Sequence, residues 1–296
     1  MPARNLPDDL VRLPRRDAAA SKRDFGRVAV AGGAAGMAGA PALAAMAALK
    51  SGAGLVELVV PEAVAAVAAS FDPCVMTHGL PWDAGGGFAA GAGDAVAARL
   101  AAADAAVVGP GIGRTVAVRG IVLRLWRKLP GPAVFDADAL WALASADRGT
   151  LRHHAGPRVL TPHAGELARL VGRDPAAVTT ADRPALEEAA AVLAESIDAV
   201  IVFKGAGTLV IAPGRRARNE TGNPGMATAG TGDVLAGVIA ALLGQGLSPF
   251  DAARLGAWVH GRAGDAAAAD LGEVSMTARD LLDRLHVGFQ ACSGGL

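Results

Sequence analysis

The 296-residue chain contains no tyrosine, and aromatic side chains make up only 4% of it. Stacking surfaces that interleave aromatic and basic residues are missing, so nothing supports RNA binding. Cysteine is nearly as scarce. Cys74 and Cys292 stand far apart, a pattern that fits neither a disulfide framework nor a zinc site and suits a reducing cytoplasm. Neither sign of charge prevails. The 28 basic and 28 acidic side chains give a formal net charge of zero, so the balance calls for no nucleic acid and no anionic membrane. A true membrane-length apolar run is also missing. Residues 28–49 carry no charge until Lys50, but they are mostly Ala and Gly and are interrupted by Pro41. They lack the Leu, Ile and Phe of a span and read as a buried strand, a glycine loop and a helix. No charged segment followed by an apolar one opens the chain, so no secretory signal is expected. Ser-His-Asp order and zinc spacing do not stand out, which leaves hydrolysis by a triad or a metal without positive support.

What is present is alternation. Short β-branched runs at 27–31, 55–60, 106–109, 133–136, 158–160, 199–204 and 208–212 are separated by Ala- and Leu-rich stretches. The helical stretches are 40–51, 62–69, 92–102, 115–129, 164–171, 184–196, 233–245, 249–268 and 278–285. Several strands are apolar throughout, as strands covered on both faces tend to be. The pattern predicts an α/β domain with a largely parallel sheet between helix layers. Residues 1–24, with Arg4, Arg12, Arg15, Arg16, Lys22 and Arg23 against Asp8, Asp9, Asp17 and Asp24, read as a solvated, partly disordered tail. Residues 25–290 read as one domain, with a flexible loop at Gly85-Gly86-Gly87.

Ligands of such sheets bind beyond the carboxyl ends of the strands, so the strand-to-loop junctions are the candidates. After the first strand come Gly32, Gly33, Gly36 and Gly39, a ligand-approach loop whose spacing is not a clean dinucleotide fingerprint. The next is Val108-Gly109-Pro110-Gly111-Ile112-Gly113, either a surface for a flat ligand or a tight βα turn. Asp136 and Asp138 end another strand; two such carboxylates hold Mg²⁺ through water, or Asp138 caps the following helix. His163 lies on the turn Thr161-Pro162-His163-Ala164-Gly165-Glu166 as a ligand-contact candidate. Glu166 there belongs either to the helix dipole or to a Mg²⁺ shell. Lys204-Gly205-Ala206-Gly207-Thr208 offers a cation, backbone donors and a hydroxyl to nucleotide phosphates, or is a plain hairpin with a solvated lysine.

The richest segment is residues 219–243, a glycine-studded loop running into an apolar helix at Gly230-Thr231-Gly232-Asp233. Glycines there leave main-chain N–H groups uncovered. The helix N-terminus adds partial positive charge, so the three residues Gly230 to Gly232 form an anion hole. Asp233 beside it is placed to act as a base on a substrate hydroxyl, the competing reading being a helix N-cap.

Together these segments resemble the ADP/ATP-dependent NAD(P)H-hydrate dehydratases of the ribokinase-like superfamily. The resemblance runs from Phe25-Gly26 to about Leu285. The string NxTGNPGMATxGTGDVLxG at 219–237, with TPHxGE and KGxGT, is the specific part; GTGD alone belongs to the whole superfamily. The resemblance implies a ribokinase-like three-layer α/β/α sandwich. It also implies a reaction in which NADH or NADPH hydrated at C6 of the nicotinamide ring is phosphorylated on the ring hydroxyl. Loss of phosphate then regenerates the cofactor. Bacterial members typically use ADP and release AMP, whereas eukaryotic ones use ATP. Hydrate-binding positions fall on Ala40, Gly111, Gly113, His163 and Asp233, and adenine-nucleotide positions on Lys204, Gly205, Ala206, Gly207, Thr208 and Gly232. Mg²⁺, a homotetramer and a separate hydrate epimerase are further implications. Departures occur at Ala34 and Met37, where Ser and Tyr are usual, at Ala229, where a glycine is common, and at Lys22-Arg23-Asp24, where HKG is usual. The competing expectations are a small-molecule kinase of the same superfamily and a catalytically silent nucleotide-binding protein.

Overall fold

The computed structural model describes residues 6–292. The first half of the chain runs β1 (Arg27–Ala31), α1 (Gly39–Lys50), β2 (Leu55–Pro61), α2 (Glu62–Ala69), β3 (Met76–Leu80), α3 (Gly93–Ala101), β4 (Ala105–Val108) and α4 (Val116–Lys128). It continues with β5 (Ala133–Phe135), α5 (Asp138–Leu143), α6 (Arg148–Arg152), β6 (Arg158–Leu160), α7 (Ala164–Leu170) and α8 (Arg183–Ile197). Next come β7 (Val200–Phe203), β8 (Leu209–Ala212) and β9 (Arg215–Arg218). Four helices close the described chain: α9 (Thr231–Gly244), α10 (Pro249–Leu271), α11 (Ala278–Asp283) and α12 (Leu285–Cys292).

All nine strands join one sheet, in the order β3-β2-β1-β4-β5-β6-β7-β8-β9. Pairing is parallel from β3 to β7 and antiparallel at β7–β8 and β8–β9. Alternate residues of each strand enter opposite cores. Val28, Val30, Val56, Leu58, Val107 and Val134 pack with the buried faces of α1, α9 and α10. Ala29, Ala31, Val59, Val108, Phe135 and Ile201 pack with α4, α5 and α8 on the other side. Each fully buried Val or Leu contributes roughly 1.5–3 kcal/mol. The inner strands bury apolar side chains toward both helix layers, as a parallel sheet between them requires, with Glu57 of β2 and Arg158 of β6 as buried charged exceptions.

Small residues set how closely the layers approach. On α1, Ala42, Ala44, Ala45, Ala47 and Ala48 are all buried. A Cβ on Gly237 of α9 would lie 2.0 Å from the Ala44 carbonyl oxygen, so the two helices meet backbone to backbone. That contact fixes the middle of α9 against α1.

Every predicted strand is found, within a residue at each end. Two more, β3 and β9, form the sheet edges. The predicted helices are present with shifts of up to three residues at their ends, and α5, α6 and α12 are additional. Most of the described N-terminal segment is exposed, as expected of a solvated tail, but it is fixed to the body at several points. Leu6 and Leu10 are buried in the core shared with α1 and α10. Arg16 lies 3.7 Å over the Phe25 ring and donates to the Gly52 carbonyl at 2.7 Å, while Arg254 pairs with Asp9 at 2.6 Å. Apolar side chains at two positions outweigh the charges around them. Arg4 lies outside the described residues. The expected flexible triglycine loop is a braced turn, because Asp83 accepts from the N–H groups of Gly85 and Gly87. Among the described residues no helix is long and apolar enough to cross a membrane.

Candidate active site

Strand order reverses at β1, which has β2 on one side and β4 on the other. At such a switch point, sheets of this kind hold their ligands in a crevice beyond the strand ends. The loops after β1 and β4 meet across it. Gly33 N–H donates to the Pro110 carbonyl at 3.0 Å and Ala34 N–H to the Gly111 carbonyl at 2.7 Å. Gly111 has φ +58°, and a Cβ on it would lie 2.8 Å from Met37 and 3.4 Å from the Ala40 Cβ. Two predicted hydrate positions, Ala40 and Gly111, are therefore neighbours. Gly113 is tied elsewhere, its N–H donating to Asp138 at 3.1 Å.

Asp138 does not cap its helix. The N-cap of α5 is Ala137, which makes no capping bond, and Asp138 instead holds Gly113 and Arg114, the latter at 2.7 Å. Ala137 has φ +51° and ψ −120°, a conformation that favours glycine and costs on the order of 1–3 kcal/mol. The strained residue sits between Asp136 and Asp138, whose carboxylates serve different partners.

Asp136 is turned toward Lys204. The Lys204 Nζ lies 2.9 Å from Asp136 Oδ1 and 3.8 Å from Glu166 Oε2. The reading of Lys204 as a solvated hairpin lysine is overturned, because its side chain is only 19% exposed and Asp136 only 1%. Burial works against the Lys204 charge, but Asp136, Glu166 and Asp233 hold its pKa above the ordinary lysine value. Burial pushes Glu166 up to about 7, with Lys204 opposing. Asp136 and Glu166 thus fit a cation, and the protein's own ammonium supplies it. Among the described residues no three His, Cys, Asp or Glu side chains converge as a metal site, which leaves Asp136 and Glu166 as the two carboxylates a nucleotide-borne cation would meet.

His163 and Glu166 form a capping box at the start of α7. His163 Nδ1 accepts from Gly165 N–H at 3.1 Å and Glu166 N–H at 3.4 Å, and Glu166 Oε2 accepts from His163 N–H at 2.8 Å. Nδ1 is an acceptor, so the neutral ring carries its proton on Nε2. Burial and Lys204 keep His163 below the usual histidine pKa. The ring stays neutral and 60% exposed at the crevice. The Lys204 N–H donates to the Pro162 carbonyl at 2.9 Å, which joins this turn to the 204–208 turn.

At α9 the N-cap is Gly230, with φ +90° and no side-chain capping bond. Asp233 is the third helical residue, so the N-cap reading fails. The Thr231 hydroxyl turns inward to the Met226 and Thr228 carbonyls at 2.9 and 3.0 Å, leaving main-chain groups to face the crevice. A Cβ on Gly232 would lie 3.1 Å from Lys204 Nζ and 3.8 Å from Asp136 Oδ2. The helix start and the charge cluster are therefore in contact. Burial raises the Asp233 pKa to about 7, Asp136 adds to the shift, and Lys204 opposes it. One crevice thus holds a carboxyl whose pKa burial has raised, an ammonium and an uncapped helix N-terminus, the groups that proton removal from an alcohol and anion stabilisation need.

The sequence reading missed the platform under this loop, which is α10. His260 Nε2 donates to the Thr231 carbonyl at 2.8 Å; burial lowers its pKa to about 4, so it is neutral. Asp265 accepts from Gly222 N–H at 3.2 Å and from Asn223 at 3.3 Å. Asn219 and Thr221 donate to the carbonyls of Ala257 and Trp258. A Cβ on Gly261 would meet Thr221 at 2.2 Å, and one on Gly264 would meet Met226 at 2.3 Å. Glycines inside an otherwise helical stretch were the available signal.

A family model described as NAD(P)H-hydrate dehydratase matches residues 28–286. The bifunctional NAD(P)H-hydrate repair enzyme Nnr of Moorella thermoacetica is 48% identical over 274 residues, covering 92% of this chain and 51% of that protein. The chain thus spans about half the length of that relative. The ADP-dependent (S)-NAD(P)H-hydrate dehydratase of Xanthomonas campestris is 38% identical, covering 90% of this chain and 91% of that protein. Among solved structures, the Bacillus subtilis ADP/ATP-dependent NAD(P)H-hydrate dehydratase co-crystallised with ATP/Mg²⁺ superposes with a TM-score of 0.78 at 27% identity, over 95% of both chains. The three-layer fold is ribokinase-like, and the chain belongs to the NAD(P)H-hydrate dehydratase family.

Proposed function

We propose that this chain repairs hydrated NADH or NADPH with ADP, giving intact cofactor, AMP and phosphate. The observation that carries the reading is the contact of the α9 start with Lys204 and Asp136, beside a carboxyl at Asp233 that titrates near 7. The hydrate lies over Ala40 and Gly111, with His163 Nε2–H as a donor at its edge. The nucleotide lies along Lys204, Gly205, Ala206, Gly207, Thr208 and Gly232.

Asp233 takes the proton of the C6 hydroxyl as its oxygen bonds to the terminal phosphorus of ADP. The bond from that phosphorus to the bridging oxygen breaks, and AMP leaves with the electron pair. The uncapped N–H groups at Gly230 to Gly232 and the Lys204 ammonium stabilise charge on the transferring group. The C6–O bond then breaks with loss of a neighbouring ring proton, so phosphate departs and the ring double bond returns. Asp136 and Glu166 are the carboxylates that would hold a Mg²⁺ brought by the nucleotide, and the ion would supply charge neutralisation at the phosphates. An epimerase activity supplies the reactive hydrate epimer.

The test is to mix purified protein, hydrated NADH, Mg²⁺ and either ADP or ATP, and to follow the near-ultraviolet absorbance of NADH. Recovery with ADP, with AMP and phosphate formed, is expected. Recovery with ATP alone overturns the donor. A stable phosphorylated product without NADH recovery favours a small-molecule kinase, and nucleotide binding with no phosphate released favours a silent binding protein.

A further inference from the structure

The 204–208 turn contains two glycines with positive φ, Gly205 at +128° and Gly207 at +63°. Such a segment has many conformations to lose, and fixing each residue costs about 1–2 kcal/mol. Yet the carbonyls of Lys204, Gly205 and Gly207 are held from outside or within. Arg183 donates to the Lys204 carbonyl at 3.3 Å and the Gly207 carbonyl at 2.9 Å. Arg218 donates to the Gly207 carbonyl at 3.1 Å, and the Thr208 hydroxyl donates to that of Gly205 at 3.1 Å. The glycines make room for the guanidinium groups. A Cβ on Gly205 would lie 2.7 Å from Arg183 Nη1, and one on Gly207 would lie 3.3 Å from Arg218 Nη1.

One carboxylate gathers both arginines. Glu187 accepts from Arg183 Nε at 3.2 Å and from Arg218 at 3.0 and 2.7 Å, the latter as a two-pronged pair. Arg183 also stacks 4.4 Å over the Phe203 ring, the last residue of β7. Arg183 meets Lys204 only at its main-chain carbonyl; the ammonium of Lys204 and the carboxylates of Asp136 and Glu166 pair with one another. Arg183, Glu187 and Arg218 come from α8 and the edge strand β9, which contribute no other candidate site residue. A planar fork that bridges two carbonyls three residues apart is a task for Arg that Lys cannot perform.

We propose that Arg183, Glu187 and Arg218 are positioning residues that clamp the 204–208 turn in its nucleotide-binding shape and so set the affinity for ADP. The proposal rests on the reading of that turn as the nucleotide site. Holding the turn in advance shifts its ordering cost from binding to folding, so the clamp acts on affinity rather than on the chemical step.

The test uses the full chain with Arg183→Lys, Arg218→Ala and Glu187→Gln, measuring ADP binding by calorimetry alongside kcat and both KM values. Arg183→Lys keeps the charge and loses the bridge. Each arginine variant is expected to weaken ADP binding about tenfold, the scale of one charge-assisted hydrogen bond. The kcat at saturating ADP stays within about twofold and KM for the hydrate is unchanged, the split expected of binding shared by ground and transition states. Glu187→Gln keeps an acceptor and has the mildest effect. Unchanged ADP affinity in both arginine variants, or a fall in kcat with affinity intact, overturns the clamp. If Arg183→Lys fails to fold, Arg218→Ala on the exposed edge decides. Wild-type protein that binds no adenine nucleotide overturns the reading of the turn itself.

Discussion

Asp233 answers to two demands at the scale of a single residue. As a base it must be ionised, yet burial and the neighbouring Asp136 favour its neutral form. The rate with saturating ADP is therefore expected to climb with pH and level off above about 7. Asp233→Asn should lose turnover by orders of magnitude and still bind nucleotide; near-normal turnover in that variant removes the base from the mechanism. The same shift bears on stability. A carboxyl whose folded pKa lies above its unfolded value holds more protons when folded, so it lowers stability progressively as pH rises between the two. The window here runs from the ordinary 3.8 to about 7. Asp233→Asn should melt higher than wild type at pH 8, with the gap closing toward pH 4, as thermal denaturation at several pH values would reveal. A gap independent of pH contradicts the assigned shift. None of this was visible along the chain: Asp136 and Lys204 lie 68 positions apart, and only folding makes them one electrostatic unit.

At the scale of elements, α10 and the start of β6 do the supporting work. His260→Leu removes the side-chain donor to the Thr231 carbonyl, which keeps only its helical partner in α9, whereas His260→Gln retains an N–H. The expected result is a fall in kcat of about tenfold for Leu, with much of it restored by Gln, on the scale of one lost buried hydrogen bond. Equal kcat in both variants would show that His260 only fills space. Arg158 plays a comparable part away from the crevice. Its side chain is buried and donates to the carbonyls of Trp126 and Leu129 at the C-terminal end of α4 and to those of Gly131 and Pro157, so it satisfies two of the carbonyls that a helix end leaves free. Arg158→Met should destabilise by about 3 kcal/mol or more, because several buried acceptors lose their partner; denaturant unfolding with a loss under about 1 kcal/mol would contradict this account. Inner strands were legible because apolar side chains face both cores. The edge strands were not: Met76-Thr77-His78-Gly79-Leu80 and Arg215-Arg216-Ala217-Arg218 show no alternation of apolar and polar residues. Asp265 and His260 stayed hidden within a helix whose length alone explained it.

The whole molecule is one sheet grown outward from β1, and its candidate site lies on the seam. The loop after β1 and the loop after β4 hold each other by main-chain bonds, while β5, β6 and β7 bring the charges. The outer edge at β9 carries Arg215, Arg216 and Arg218, paired with Asp251, Glu188 and Glu187, and charged edges discourage sheet-to-sheet association. Across this architecture one helix enters the site with nothing covering its first turn. Because the start of α9 has no side-chain cap, any small tetrahedral anion is a rival for it. Orthophosphate, which the proposed reaction releases, should compete with ADP, raising its apparent KM without lowering the maximal rate. Sulfate should act similarly, while chloride at equal ionic strength should not, and a purely ionic-strength effect shared by all three would count against it. An enzyme with this opening would work fastest where phosphate is scarce, so the composition of its surroundings, and not only the supply of damaged cofactor, would set the pace of repair.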